Sequence, residues 1–189
     1  MLEHVLSQCS RCKNVNRIIV FTDDLQIHNL TVSIGFQSII SNEIYTSGSQ
    51  RIASNLKNQE FIYENDPYIV NVQADQPFVE PKLIDNFFEV GINENLRDSV
   101  LTCVYKLEEN KIKNPNIVKV VLDKDNNALY FSRSPIPYIR DKEKFITFKN
   151  IYYGHVGIYG YRPKILLNWD NLPESKLEKA ESLEQLRLL

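Results

Sequence analysis

The 189-residue sequence has no long apolar segment and no large excess of charge of either sign. A membrane-spanning helix needs roughly 18 consecutive apolar residues, and no stretch of the chain approaches that length. The start of the chain at Met1 also lacks the basic residues and apolar run of a secretory signal. Lys and Arg number 22 against 24 Asp and Glu, so the broad positive field of a nucleic-acid-binding surface is missing. We therefore expect neither a membrane nor a nucleic acid as a partner.

Cysteine is also scarce, with residues only at Cys9, Cys12 and Cys103. An odd number of cysteines in a chain of this length suits a reducing compartment better than a disulfide scaffold, so we expect a cytoplasmic protein. The spacing of Cys9 and Cys12 could supply half of a zinc site, but a closed structural site needs four ligands. Apart from Cys103, only three scattered histidines remain. Two incidental thiols on a helix are the favoured interpretation.

The six glycines all lie at position 35 or beyond. In doubly wound α/β folds, phosphates are usually held by a loop that follows the first strand. Here the chain begins instead with a helical pattern, in which Leu2, Val5, Leu6 and Cys9 recur on one face. If this fold binds a nucleotide, we expect its first strand and phosphate loop to lie upstream of Met1.

Short apolar runs alternate with helical patterns in the first half of the chain. The runs at 17–22 and 68–72 end in polar residues, as buried parallel strands do at their carboxyl ends. Helical patterns occupy 25–34, 47–56 and 81–90, and we expect the last to begin at Pro81 and to stop at Gly91. This alternation predicts an α/β fold with three layers and a mostly parallel sheet.

The second half of the chain is richer in strands. Strand-like runs lie at 100–105, 117–122, 128–131 and 152–161, with a hairpin turn predicted at 123–127 and a final helix from about residue 176. No repeat, low-complexity tract or flexible linker interrupts the chain. We predict a single domain over 1–189, in which residues 100–161 form much of a smaller, strand-rich lobe.

Six motifs occur in an order and at spacings that can be compared with a known family. They are SGSQR at 47–51, NVQADQP at 71–77, PNIVKVV at 115–121, ALYFSRSPIP at 128–137, HVGIYGYR at 155–162 and LEQLR at 183–187. Together they resemble the 3-deoxy-D-manno-octulosonate (Kdo) cytidylyltransferases, also called CMP-Kdo synthetases. The resemblance implies a Rossmann-like nucleotidyltransferase fold, a homodimer and Mg²⁺ as cofactor. It also implies an enzyme that couples CTP with Kdo to give CMP-Kdo and pyrophosphate for lipopolysaccharide biosynthesis.

Two of the family's motifs have no counterpart in the chain. They are an opening strand with a proline-alanine-arginine loop and a late valine-aspartate-x-proline segment. We therefore expect the chain to lack the family's N-terminal nucleotide-binding segment and its C-terminal end. Within the retained motifs, Ala74 and Gln76 replace the usual glycine and glutamate, and Ser49 and Gln50 replace threonine and glutamate.

The resemblance assigns five residues of the first half to the nucleotide and the metal. Asp75 is the expected magnesium ligand and catalytic carboxylate, and a cap of the following turn is its alternative role. Gln73, Ser47, Gly48 and Arg51 are the expected nucleotide contacts. Without the resemblance, Ser47 and Gly48 would be read as an ordinary helix start.

The resemblance assigns six residues of the second half to the sugar acid, namely Ser132, Arg133, His155, Tyr159, Glu184 and Gln185. The Arg133 guanidinium suits bidentate recognition of a carboxylate, and a surface arginine at a strand end is the alternative. His155 and Tyr159 lie on one face of a strand together with Tyr161, and a lone histidine there is more often structural. An exposed Glu184–Arg187 ion pair would be the simpler role for Glu184.

Two other functions remain open at this point. A CMP-sialic acid synthetase would share the fold and the CTP chemistry, and the motifs of the second half favour Kdo over sialic acid. A non-catalytic remnant of the family, which folds or binds a sugar acid without turnover, is the alternative of a different class. Sugar discrimination separates the two enzymes, and an upstream strand with a proline-alanine-arginine loop in frame would favour an enzyme over the remnant.

Overall fold

The computed structural model describes residues 1–41, 43–45, 47–93, 99–141, 143 and 145–189. The chain divides into two compact units, each built from two segments. The first unit comprises Met1–Leu101 and Ile158–Asn171, and the second comprises Thr102–Gly157 and Leu172–Leu189. Of the span 100–161, Thr102–Gly157 lies in the second unit and Ile158–Tyr161 in the first, and the second unit also includes the last residues of the chain.

Helices and strands follow each other along the chain as the apolar pattern indicates. The helices are α1 (Leu2–Cys9), α2 (Leu25–Ser33), α3 (Gly48–Leu56), α4 (Phe61–Asn65), α5 (Pro81–Asn93), α6 (Phe145–Phe148), α7 (Pro163–Leu167) and α8 (Lys176–Glu181). The strands are β1 (Ile19–Thr22), β2 (Gln37–Ile40), β3 (Ile69–Val72), β4 (Leu101–Lys106), β5 (Lys119–Leu122), β6 (Ala128–Ser132) and β7 (Tyr153–Tyr161). In the described part of the chain, no helix is long and apolar enough to cross a membrane.

The strands of the first unit pair in two ways. β1 and β2 are parallel and are joined through α2, whose first turn is capped by the Asp24 carboxylate. β3 is antiparallel to the Ile158–Tyr161 part of β7. The α/β class is therefore confirmed, but the prediction of a mostly parallel sheet is wrong for the strand pairs of the described residues. Only a crossover such as α2 brings two strands into parallel alignment, and β7 returns to β3 without one.

The strands of the second unit form antiparallel pairs. β5 and β6 are joined by the predicted turn at 123–127, in which the Asp123 carboxylate accepts hydrogen bonds from the backbone N–H groups of Asp125 and Asn127, both at 2.8 Å. The Tyr153–Gly154 part of β7 pairs with the start of β5. Val120 and Phe131 from this hairpin are buried with residues from the end of the chain, and this apolar cluster is the core beneath β5 and β6.

The end of the chain departs from the predicted continuous helix. α8 ends at Glu181, and Ser182 takes a left-handed conformation with φ 53°, which stops the helix. A short 3-10 turn at Glu184–Arg187 follows. After the break, Leu183 and Leu186 pack in the apolar cluster with Val120 and Phe131.

The predicted stop of α5 at Gly91 is also wrong. α5 continues through Gly91 to Asn93, and Gly91 serves packing instead. A β-carbon at this position would lie only 2.0 Å from Cζ of Tyr68, so only glycine allows the tyrosine ring to rest on the helix backbone.

Candidate functional site

The start of α3 holds three of the residues predicted to contact a nucleotide. Ser47 is the N-cap, and its hydroxyl accepts a hydrogen bond from the backbone N–H of Gln50 at 3.1 Å. This is the capping role that its position alone suggested. Gly48 opens the helix at the surface, and a β-carbon on it would approach only the Asn71 amide, at 4.0 Å. The amide groups of this first turn therefore lie beside the end of β3.

Arg51, one turn into α3, is held by a residue that sequence reasoning missed. Its Nη2 lies 3.0 Å from a carboxylate oxygen of Asp23, which directly follows β1. The Arg51 side chain is 27% exposed, and its Nε is buried without a hydrogen-bond partner in the described part of the chain. The guanidinium is thus oriented by one carboxylate and keeps donors for an anionic or acceptor group. Asp23 could have been suspected, because polar residues at the ends of parallel strands gather at one edge of a sheet, but its partner could not.

A buried hydrogen-bonded chain ties α3 to the strands of the first unit. The Ser49 hydroxyl lies 2.8 Å from the Tyr161 hydroxyl and 3.5 Å from the Asn71 amide nitrogen, which donates to it. All three residues are buried. The polar residues at 49 and 71 sit within the motifs but were not singled out from the sequence, since their role is to hold α3 rather than to face solvent.

Gln73 and Asp75 lie in a turn immediately after β3. The Gln73 carbonyl accepts a hydrogen bond from Gln76 N–H at 3.1 Å, and Asp75 occupies the exposed part of this turn. No group of three or more His, Cys, Asp or Glu side chains gathers into a metal site among the described residues. A single exposed carboxylate nevertheless fits Mg²⁺, which often takes one or two protein carboxylates and completes its shell with phosphate and water.

The Arg133 side chain of the second unit is held by three backbone carbonyls. Its Nε donates to Glu181 at 2.8 Å, Nη1 to Pro115 at 3.1 Å and Nη2 to Ser182 at 3.4 Å. A guanidinium has five N–H donors, so these bonds leave one N–H on each terminal nitrogen. Two donors are the number that a bidentate contact with a carboxylate uses.

Ser132 and Arg133 also share one carboxylate, that of Glu181 at the end of α8. Glu181 accepts from the Ser132 hydroxyl at 2.5 Å and from the Arg133 backbone N–H at 2.9 Å. Burial opposes ionisation of Glu181, but these hydrogen bonds and the neighbouring positive charges hold the pKa of its carboxyl below the ordinary value. Ser132 is buried, and in this structure its hydroxyl donates its hydrogen bond to Glu181.

Lys119, at the start of β5, is a fully buried lysine beside the same group. Its ammonium donates to the carbonyl oxygens of Asn114 at 2.9 Å, Ile117 at 2.7 Å and Arg133. Burial lowers the pKa of Lys119, and the nearby Glu181 carboxylate counteracts that effect. Neither Lys119 nor Glu181 was identified from the sequence as part of a site, although Lys119 lies in the 115–121 motif.

His155 is largely buried on β7 in the second unit. Its Nε2 lies 2.8 Å from the Thr102 hydroxyl, and its ring meets Phe131 edge-on with centroids 4.9 Å apart. Burial lowers the pKa of His155 to about 4, so the imidazole is neutral at pH 7. Because Phe131 packs with Leu183 and Leu186, His155 lies in the same region of the second unit as the last turn of the chain.

The remaining amino acids that were predicted to bind the sugar acid lie in two places. Glu184 and Gln185 are in the 3-10 turn of the second unit, and Gln185 is buried. Arg187, the proposed ion-pair partner of Glu184, makes a bidentate contact with Glu178 at 2.7 and 3.0 Å. Tyr159 belongs to the part of β7 in the first unit, where it is buried with its ring centroid 6.0 Å from that of Tyr161.

Comparisons with known proteins agree along the whole chain. A family model described as cytidylyltransferase matches residues 1–189. A 3-deoxy-manno-octulosonate cytidylyltransferase of Thermodesulfovibrio yellowstonii is 41% identical over 100% of this chain and 75% of its own length. The Fusobacterium nucleatum protein of the same name is 39% identical over 100% of this chain and 73% of its own length.

The fold is shared with a solved structure. A CMP:2-keto-3-deoxy-manno-octonic acid synthetase complexed with CTP superposes with a TM-score of 0.86, at 34% identity over 99% of this chain and 73% of that chain. A cytidylyltransferase from Leptospira borgpetersenii, at 14% identity and a TM-score of 0.53, shows similarity of fold alone. On the family model and on these relatives, the chain belongs to the cytidylyltransferase family of enzymes.

Proposed function

We propose that this protein activates Kdo with CTP, releasing pyrophosphate and forming CMP-Kdo. The observation that carries the proposal is the similarity over 99% of the chain to a synthetase for this sugar acid that was solved with CTP. The held Arg133 guanidinium, with two donors left for a carboxylate, supports a sugar acid as the acceptor substrate.

In the proposed reaction, the anomeric hydroxyl of Kdo attacks the α-phosphorus of CTP. A bond forms between that oxygen and phosphorus, the bond to the pyrophosphate oxygen breaks, and the hydroxyl proton is lost to solvent or to a nearby base. Such phosphoryl chemistry depends on positioning and on neutralising charge. Arg51 and the amide groups at the start of α3 would orient the nucleotide, with Gln73 as a further polar contact.

Asp75 is the residue of this chain that would hold Mg²⁺ in the proposed reaction. A bound Mg²⁺ would neutralise charge on the phosphate oxygens of CTP. The carboxylate of Asp75 suits this role because it is exposed directly after β3, on a turn closed by the Gln73–Gln76 backbone hydrogen bond. In the second unit, Arg133, Ser132, His155, Glu184 and Gln185 are proposed to bind the sugar acid.

The proposal is tested by measuring pyrophosphate release from CTP in the presence of Mg²⁺ and either Kdo or N-acetylneuraminate. We expect release with Kdo and little with N-acetylneuraminate. Release with N-acetylneuraminate and little with Kdo would instead indicate a CMP-sialic acid synthetase. Binding of Kdo in saturation-transfer NMR without any pyrophosphate release would indicate a remnant that has kept only the sugar site.

The wider setting of the reaction is part of the same proposal. We infer that CMP-Kdo is formed in the cytoplasm for lipopolysaccharide-type glycan synthesis and that the enzyme is a homodimer. The described cysteines, Cys9, Cys12 and Cys103, are all free thiols, as a reducing compartment would keep them.

A further inference from the structure

The backbone of Arg133 is hydrogen-bonded on both sides by charged side chains, those of the fully buried Lys119 and the partly buried Glu181. Its N–H donates to the carboxylate of Glu181, and its carbonyl oxygen accepts from the ammonium of Lys119. The Glu181 backbone carbonyl also accepts from Arg133 Nε. Main chain and side chain of one arginine are therefore fixed by two residues that come from β5 and α8, far from it in sequence.

This arrangement is an inefficient way to stabilise a core. Moving the Lys119 ammonium out of water costs several kcal/mol, and well-packed apolar side chains often stabilise a protein as well or better. What the two charged side chains contribute is a fixed position for the Arg133 backbone, since each hydrogen bond holds a donor and an acceptor in place. The three protons of the Lys119 ammonium are all used on backbone carbonyls, so the lysine itself has none left for a ligand.

The group held in this way is the one residue of the network with donors to spare. Arg133 keeps one N–H on each terminal nitrogen after its three bonds to carbonyl oxygens. We propose that Glu181 and Lys119 are positioning residues that fix Arg133 so that these two donors meet the carboxylate of the sugar acid. The inference rests on the proposed function, because it takes the sugar acid as the ligand.

The first test compares Glu181→Gln with Glu178→Gln, the same substitution one turn earlier on α8. Glu178 is ion-paired with Arg187, and none of the hydrogen bonds described for Arg133 goes to it. Its variant therefore shows what losing a carboxylate of α8 does to the structure when the hydrogen bonds of Arg133 are kept. We expect Glu181→Gln to raise the dissociation constant and the KM for Kdo about 10-fold or more, because a hydrogen bond to a charged group is lost. The KM for CTP should stay within about 2-fold of the wild type, and so should the dissociation constant and KM for Kdo of Glu178→Gln. A 2-fold change is smaller than the change expected from losing one hydrogen bond to a charged group.

A double-mutant cycle with Arg133→Ala shows whether Glu181 acts through the arginine. If it does, Glu181→Gln should weaken Kdo binding in the wild-type background and should have no further effect in the Arg133→Ala background. Calorimetric titration with Kdo alone measures this without turnover. Lys119→Gln, which loses the long ammonium but keeps an amide donor, is the second variant if Glu181→Gln does not fold.

The outcomes separate the inference from the function on which it rests. A folded Glu181→Gln or Lys119→Gln protein that binds Kdo as tightly as the wild type would overturn the positioning role. A further loss of affinity in the Arg133→Ala background, or an equal loss in Glu178→Gln, would overturn it as well. A wild-type protein that binds CTP but no Kdo would instead refute the proposed function.

Discussion

At the scale of single residues, the buried His155 makes the stability of the protein depend on pH. Its pKa is lowered to about 4 by burial, whereas an unfolded histidine titrates near 6.5. Between these values the unfolded chain binds the proton more readily than the folded one, so stability falls as the pH falls from about 6.5 towards about 4. At pH 5.0 the loss relative to pH 7.5 should be about 2 kcal/mol.

Urea denaturation at pH 7.5 and 5.0 measures this loss. His155→Gln, which can keep a hydrogen bond to Thr102, should remove most of the pH dependence. His4→Gln, at an exposed position on α1, is the matched control and should leave the dependence unchanged. If the free energy of unfolding depended on pH equally in the wild type and in His155→Gln, other groups would be the cause.

Asp75 is the residue whose replacement should affect the reaction most and the fold least. Asp75→Asn keeps the size of the side chain and removes its charge, so pyrophosphate release should fall at least about 100-fold. The thermal midpoint should not change, because the side chain is exposed in a turn. Asp125→Asn, in the exposed turn of the second unit, is the control, and full activity of Asp75→Asn would exclude this residue as the metal ligand.

Residue roles were predictable from the sequence where they are local. The capping by Ser47 depends on residues within one helical turn, and the sequence shows all of them. The contacts Arg51–Asp23 and Arg133–Glu181 join residues that are distant along the chain. Composition and spacing carry no signal for such pairs, so the orientation of both arginines became evident only from the fold.

At the scale of elements, one aromatic ring determines how α5 and β7 approach β3. Tyr68 packs against the backbone at Gly91 of α5, and a β-carbon at Gly160 of β7 would lie 2.4 Å from its hydroxyl oxygen. Arg162 lies over the ring, with Cζ 5.6 Å from the centroid. Burial raises the pKa of Tyr68 to about 12, so the phenol stays protonated.

Gly91→Ala should therefore destabilise the protein although alanine is the better helix former. The added carbon would overlap a ring that is enclosed on two sides, and overpacking of this kind costs about 1–3 kcal/mol or more. Gly48→Ala is the control, because its β-carbon has room and should gain helix propensity. Chemical denaturation of both variants measures the difference, and an unchanged or higher stability of Gly91→Ala would contradict the packing argument.

Elements with a clear apolar pattern were predictable, whereas elements without one, and breaks, were not. β2 has four residues with exposed ends, and α4 and α7 have five residues each, so none of them shows a full apolar period. The break after α8 depends on Ser182, which adopts a left-handed conformation without being glycine. Leu183 and Leu186 are three residues apart and would share one face of an uninterrupted helix as well, so their spacing does not reveal the break.

At the scale of the whole molecule, we expect a homodimer that buries part of β6. β6 lies at the end of its strand order, and Leu129 on it is 59% exposed. Sedimentation should show a dimer at micromolar concentration, and Leu129→Lys should weaken it because a charge would enter an apolar contact. Lys124→Glu, in the adjacent exposed turn, is the control, and a strict monomer of the wild type would refute the expectation.

The strand directions were the least predictable property of the architecture. The alternation of strands and helices indicated the α/β class, but it does not say which strands become neighbours. β3 precedes α5 in sequence and yet pairs with the far end of β7, and that pairing is antiparallel. Only the assembled fold shows this, since the pairing joins residues from the first and last segments of the first unit.

That late pairing bears on how the protein is made. During translation, the first segment of the first unit, Met1–Leu101, emerges from the ribosome long before the residues that pair with β3. During this interval the β3 edge and the flat face of Tyr68 have no β7 to cover them, and exposed edges and aromatic surface invite aggregation. We expect nascent chains stalled before residue 158 to bind hydrophobic dyes and to be digested rapidly by proteases. In chains released after Asn171, the first unit should resist digestion, because both of its segments are then present and β7 can cover β3.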